Sequence, residues 1–165
     1  MNRMCFAFLL LCLPGLSLAR GALDVQTSRC IASAAQYYYR PSDPISYRGF
    51  VDLIQAIRLT EGGAAGHITR NTNGSFDIGP MQINSSHLPL LQSFGITYAS
   101  LLYNACENIF VGTWILHSEI LTSGSEVWRG IGNYNSRTPI HNRRYQMRVW
   151  SNLQTIWANR GQRVR

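Results

Sequence analysis

Apolar positions recur along this chain mainly at intervals of three and four residues, the period of one face of an α-helix. Cys30, Ile31, Ala34, Ala35 and Tyr38 follow this spacing and predict a first helix from about Asp24 to Tyr39, terminated by Pro41 and Pro44. Phe50, Leu53, Ile54 and Ile57 predict a second, from about Tyr47 to Glu61. Gly62 and Gly63 close it, since glycine readily takes the left-handed conformation that ends helices. Asn104 and Glu107 have the spacing of a capping box and open a helix with wide apolar coverage, from Ile109 and Phe110 through Trp114 and Leu116 to Ile120. Gly112 in its middle predicts a neighbouring backbone packed close against it. A short helix near Ser125 includes Val127, Trp128 and Ile131 and delivers Tyr134. Thr138-Pro139 then opens a long last helix with Tyr145, Val149, Leu153 and Ile156 on one side, ended by Gly161. The tryptophans Trp114, Trp128, Trp150 and Trp157 mostly fall on these apolar stripes and read as core.

One region breaks the helical rhythm. In the polar stretch from Arg70 to Asp77, Asn73-Gly74 signals a tight turn between short strands. Just beyond, Met81 and Ile83 alternate with Gln82, a strand pattern that buries the two apolar side chains and turns Gln82 outward. The expected fold class is α+β, mostly helical, in one domain with a short β-hairpin region beside a cleft.

Glu61 breaks the pattern differently. It falls on the same helix face as Phe50, Ile54 and Ile57, so the helix points an acid where a hydrocarbon belongs. A carboxyl partly removed from water holds its proton more tightly, because desolvation penalises the charged form. It can then protonate a leaving group near neutral pH, which suits cleavage of a glycosidic bond.

The chain begins with Arg3, an apolar run from Cys5 to Leu13, a Pro14-Gly15 break and Ser17-Leu18-Ala19, the layout of a cleaved export signal covering residues 1–19. The run is shorter than the roughly 20 residues that span a bilayer, so no stable membrane insertion is expected after cleavage. Removal of the signal leaves Cys30 and Cys106 as the only cysteines in an oxidising compartment, and a single disulfide is expected. His67, His87, His117 and His141 lack ligand spacing, so neither metal nor cofactor is expected. Residues 20–165 suffice for one domain with its own core. All fifteen basic residues are arginine against eight acids, and Arg143, Arg144, Arg148, Arg160, Arg163 and Arg165 crowd the C-terminus. That balance favours an anionic polymer or surface, but an exported chain without a nucleic-acid motif gives no reason to expect nucleic acid. The tail from Arg160 to Arg165 is a candidate for docking a partner.

The order of Glu61, Asp77-Ile78-Gly79-Pro80-Met81-Gln82-Ile83-Asn84, Cys106-x-Asn108-Ile109 and Asn133-Tyr134-Asn135-Ser136 resembles the soluble lytic transglycosylases of the lysozyme superfamily. The likeness covers nearly the whole mature chain and is strongest to the small exported members that accompany conjugation, pilus and secretion machines. It implies a lysozyme-like fold, peptidoglycan glycan strands as substrate, a periplasmic location and components of an envelope-spanning machine as partners. Glu61 then matches the catalytic glutamate, which donates a proton to the glycosidic oxygen and later withdraws one from the C6 hydroxyl of the same muramyl sugar. The product is a 1,6-anhydro end, formed without water because the internal hydroxyl outcompetes solvent. Met81 and Gln82 match positions that line the sugar cleft, and Asn84 one that steadies the segment. Tyr134 matches a tyrosine near the catalytic carboxyl, with Asn135 shaping the same wall. The chain departs from the family at Gly62, where serine is common, so that Ser75 or Thr60 would have to supply its hydroxyl. It departs again at Pro80, where leucine is common and the fixed φ should hold the segment extended.

A hydrolase of the two-carboxylate type needs a second acid about 5–5.5 Å away for retention or roughly 6.5–9.5 Å for inversion. Asp24, Asp43, Asp52, Glu107, Glu119 and Glu126 fall on expected outer helix faces, at helix starts or in loops. This leaves Asp77, read as a loop-shaping residue that accepts backbone hydrogen bonds. Were it to position a water, the enzyme would be a muramidase. A non-catalytic glycan-binding scaffold component is the alternative of another class, although a binder gains nothing from a partly buried acid.

Overall fold

The structure is a computed structural model and describes residues 15–162. The apolar run from Cys5 to Leu13 and the arginines Arg163 and Arg165 lie outside the described residues. In chain order the elements are α1 (Gly15–Tyr38), α2 (Tyr47–Glu61), β1 (Ile68–Arg70), β2 (Phe76–Ile78), β3 (Ile83–Asn84), a 3₁₀ turn (Ser85–His87), α3 (Leu88–Gln92), α4 (Tyr98–Tyr103), α5 (Ala105–Thr122), α6 (Val127–Asn135) and α7 (Pro139–Gln162). The helical layers and small antiparallel sheet, in the order β1-β2-β3, are the expected α+β architecture.

α5 packs against α1 on one side and α6 on the other, while α7 lies against both α2 and α6. Ile31, Phe50, Ile54, Ile57, Ile109, Leu116, Ile120, Ile131 and Val149 meet in one core. The Cys30–Cys106 disulfide ties α1 to α5. Gly112 of α5 is required by a side chain rather than by the expected backbone: a Cβ there would stand 2.7 Å from Cβ of Met81.

Several boundaries moved for local reasons. α1 starts at Gly15, well before Asp24, because no proline interrupts the residues between. α3 and α4 are too short for a periodic signal and were not anticipated. Thr97 and Ser100 form the capping box that starts α4. Asn104 does cap α5, accepting from the amides of Cys106 and Glu107. Glu107 does not reciprocate; it accepts a hydrogen bond from Ser100 instead. α7 continues through Gly161 to Gln162. Residues 79–82 form a turn, not an extended strand, and Gln82 takes a left-handed φ of 47°.

Two burial expectations also fail. Asp52, read as an outer-face acid, is 4 % exposed, accepts from the Trp157 indole at 2.9 Å and pairs with Arg160. Burial alone would raise its pKa, but the Arg160 and Trp157 hydrogen bonds outweigh this and leave it lowered. Arg160 is thus committed to fastening the end of α7 to α2 rather than free for docking. Trp128, Trp150 and Trp157 are not core: each is exposed by 40–44 %. Trp150 and Trp157 occupy a second stripe on the side of α7 away from Tyr145 and Val149, and Trp128 of α6 packs edge-on against Trp150, so apolar character there did not mean burial.

Candidate active site

Glu61 is the last residue of α2, and its environment begins with the two glycines behind it. Gly62 caps the helix at φ 66°, its amide donating to the Arg58 carbonyl. Gly63 is needed because a Cβ there would meet the Gly79 carbonyl oxygen at 2.1 Å and Gln82 Nε2 at 2.7 Å. The helix end and the 79–82 turn therefore touch, and α2 delivers its acid into the space between the sheet and α6.

That space is a cleft of about 350 Å³ lined by Glu61, Asn71, Asp77, Gln82, Asn84, His87, Tyr134 and Asn135, with Ile83 and Ile115 contributing apolar surface. Burial pushes the Glu61 carboxyl from 4.5 up to about 7. A hydrogen bond from the Tyr145 hydroxyl and the charge of Arg148 oppose the rise, while the Asp77 charge adds to it. The acid is thus balanced between donor and acceptor forms near neutrality. His87 has its pKa lowered, chiefly by burial, with Glu119 opposing, so it is held neutral in the same wall.

Asp77 on β2 is held by side-chain amides, not by the backbone donors expected of it: Asn71 Nδ2 donates at 3.0 Å and Asn84 Nδ2 at 2.7 Å. Asn84 also donates to Ser75 Oγ at 3.0 Å and caps the following turn by accepting from the Ser86 amide. The Ser75 hydroxyl donates to Asn73 at 2.7 Å and so belongs to this hairpin network. Thr60 points elsewhere, buried between the Ala56 carbonyl and Asn152 at 2.8 Å from each.

Gln82 is fixed at both ends of its amide, Nε2 donating to the Gly79 carbonyl and Oε1 accepting from Thr69 at 2.6 Å. Met81 faces away from the cleft and is wholly buried against α5. Its backbone works at the site instead: the amide donates to Asn108 Oδ1 and the carbonyl accepts from the Tyr134 hydroxyl at 2.8 Å. Tyr134 therefore braces the turn, and its ring stacks on Tyr145 with centroids 6.2 Å apart.

Tyr145 is the tyrosine whose hydroxyl reaches the acid, at 2.5 Å from Glu61 Oε1. The sequence reading assigned it to core packing, which it also serves at 2 % exposure. It is the one hydroxyl among Tyr145, Val149, Leu153 and Ile156 on the inner side of α7, a signal that could have singled it out. Arg148, one turn on, donates to the Thr60 carbonyl at 2.6 Å beside the end of α2. Asn71, within the polar stretch before the hairpin turn, and His87, one of the histidines without ligand spacing, carry no local pattern that marks them as site residues and enter the cleft only through the fold. Among the described residues no group of three His, Cys, Asp or Glu side chains could hold a metal ion.

Residues 47–152, from the start of α2 to the middle of α7, match the family described as transglycosylase SLT domain. The chain is 34 % identical over 113 residues to invasion protein IagB of Salmonella typhimurium, covering 64 % of this chain and 68 % of IagB. It is 32 % identical over 115 residues to a peptidoglycan-binding-like protein of Escherichia coli O157:H7, covering 65 % and 68 % respectively. Similarity to protein IpgF of Shigella flexneri is 30 % over 135 residues, or 81 % of this chain and 76 % of that one.

Proposed function

Since the chain belongs to the transglycosylase SLT family and is a lytic transglycosylase acting on peptidoglycan, we propose that Glu61 alone carries its chemistry, first as acid and then as base. In the first step Glu61 gives its proton to the oxygen of the MurNAc-GlcNAc β-1,4 bond, and the bond to the muramyl C1 breaks. In the second, the C6 hydroxyl of the same sugar attacks C1 and returns its proton to Glu61, closing a 1,6-anhydro ring and restoring the acid. No water enters or leaves.

The observation that carries this reading is the state of the two cleft carboxyls. Glu61 is raised to about 7, where both of its forms are accessible, whereas Asp77 is spent on two asparagine amides. Gln82, Asn84, Tyr134 and Asn135 would hold the sugars, with Met81 contributing through its backbone and Tyr145 orienting Glu61. Neither Thr60 nor Ser75 supplies a hydroxyl to the acid in place of the family's serine, since Thr60 is bonded to the Ala56 carbonyl and Asn152 and Ser75 to Asn73.

We further infer that residues 1–19 are a cleaved export signal, that 20–165 form the working domain in the periplasm, and that it opens the wall locally for an envelope-spanning machine. No helix among the described residues is long and apolar enough to cross a membrane, which fits an envelope enzyme that meets peptidoglycan. The names of two relatives, an invasion protein and a peptidoglycan-binding-like protein, support the setting.

Mass spectrometry of digested sacculi tests the chemistry. Anhydro ends are expected, and they should vanish in Glu61→Gln while glycan binding remains. Reducing ends, heavier by one water, would make the enzyme a muramidase that uses Asp77. Binding without any product would leave a scaffold component.

A further inference from the structure

We propose that the outer face of α7, with Trp128 of α6 beside it, is a docking seam for an acidic amphipathic helix of a partner protein. The seam shares no residue with the cleft lining. α7 carries two stripes, of which the inner one, Asn142, Tyr145, Val149 and Leu153, is buried. Ile140, Arg143, Met147, Trp150, Gln154 and Trp157 form the outer one, stepping by three and four, and all six are exposed. A sustained 3.5-residue repeat of this kind is how one helix presents itself to another. From Ile140 to Trp157 it runs for about 26 Å, nearly five turns.

The aromatic part is continuous and already ordered. Trp128 and Trp150 have ring centroids 5.7 Å apart, Trp150 and Trp157 5.6 Å, both edge to face. Trp157 is further pinned by its hydrogen bond to buried Asp52. Indoles fixed before binding lose little freedom on binding, and Trp, Met and Arg are the residue types enriched at protein interfaces. The alternating ring planes also deny a sugar chain the succession of parallel faces on which it would stack.

Charge selects the partner. The 24 residues of α7 include no acid. Exposed Arg143 and Arg144 have no acidic partner among the described residues, and Arg129, beside Trp128, touches Glu126 only at 3.9 Å with both side chains well exposed. A second copy would bring together two chains of formal charge +7. A bilayer would have to accept Gln154 and Arg143 within the stripe, whereas a partner helix can answer them with polar groups in register.

The test places a photoreactive phenylalanine analogue at Met147 or Gln154 in the full-length protein, made in its own cells, and sequences the crosslinked peptide. An adduct with a protein segment that is net acidic and apolar at 3.5-residue spacing is expected. Its yield should fall at least tenfold in Trp150→Ala/Trp157→Ala and in Arg143→Glu. The arginine variant leaves the aromatic packing intact, so it reports on the seam even if the double variant folds poorly. Sacculus digestion, measured in parallel, should be unchanged in Arg143→Glu, which separates this seam from the catalytic reading. Adducts with phospholipid, glycan or a second copy, or no specific adduct, would overturn the proposal.

Discussion

The Tyr145 hydroxyl donates to Glu61 Oε1 at 2.5 Å, although the two residues stand 84 positions apart in the chain. α7 thereby reaches across to the last residue of α2 and fixes one oxygen of its carboxylate, leaving the other for substrate. This bond favours the charged form and works against the burial that raises the pKa. Tyr145→Phe should therefore move the descending, alkaline limb of the rate profile to higher pH. Hydrogen bonds to charged groups contribute roughly 1.5–3 kcal/mol, so turnover should fall about 10- to 100-fold. A rate loss with an unmoved pH profile would mean that Tyr145 only packs.

Glu61 also makes stability depend on pH. Its folded pKa, about 7, lies above its ordinary 4.5, so the folded protein binds more protons than the unfolded chain between these values. Stability should be full below pH 4.5 and decline as pH rises through 7. Glu61→Gln removes the decline, making the variant more stable than the parent at pH 8 by on the order of 1–3 kcal/mol, read as a higher Tm, with little difference at pH 4.5. Thermal melts at the two pH values check this; an equal difference at both would locate the effect in packing.

The acid-bearing helix was legible because three signals agreed: the stripe Phe50, Leu53, Ile54 and Ile57, the double glycine, and a carboxyl on the apolar face. The hairpin was legible for a similar reason, since Asn73-Gly74 is a local turn signal and β1 pairs with β2 around it. Residues 79–82 were misread because alternation of Met81, Gln82 and Ile83 looks extended, whereas contacts with Asn108 and Gly63 fold it into a turn. Tyr145, buried in the core yet bonded to the acid, and the exposed Trp128, Trp150 and Trp157 mark the same limit. Periodicity finds an apolar stripe but does not say whether it meets the core, a carboxyl or solvent, and α7 has residues in all three situations.

The approach of α2 to the 79–82 turn leads to a contrast between neighbouring glycines. Gly62→Ala meets nothing within 4 Å but must adopt φ 66°, at a cost of about 1 kcal/mol. Gly63→Ala would set a methyl 2.1 Å from the Gly79 carbonyl oxygen, a backbone atom whose own amide is tied to the His67 carbonyl. The turn has to move, taking Gln82 with it, at a cost of about 1–3 kcal/mol. Gly63→Ala should thus raise KM for glycan and lower Tm, while Gly62→Ala should lower Tm alone. Equal effects on KM would contradict the contact.

Asn108 holds the same turn from behind. It is wholly buried in α5, its Nδ2 donating to the carbonyls of Ile78 at 2.8 Å and Leu101 at 3.0 Å, its Oδ1 accepting from the Met81 amide at 2.8 Å. One side chain thus satisfies three backbone groups that water cannot reach. Because an unsatisfied buried group costs about 1–3 kcal/mol, Asn108→Ala should destabilise the protein by roughly 3–5 kcal/mol. Asn108→Leu, similar in volume, should not rescue it, since the loss is polar rather than a cavity. The Met81 amide is the local reporter: with Asn108 gone, its hydrogen exchange should accelerate by more than that of amides in α2. The Met81 carbonyl also receives the Tyr134 hydroxyl, so the loosened turn should weaken that brace and reduce turnover beyond what the lower Tm explains. Uniform acceleration across α2 and the turn would show that Asn108 supports the fold as a whole and not this turn in particular.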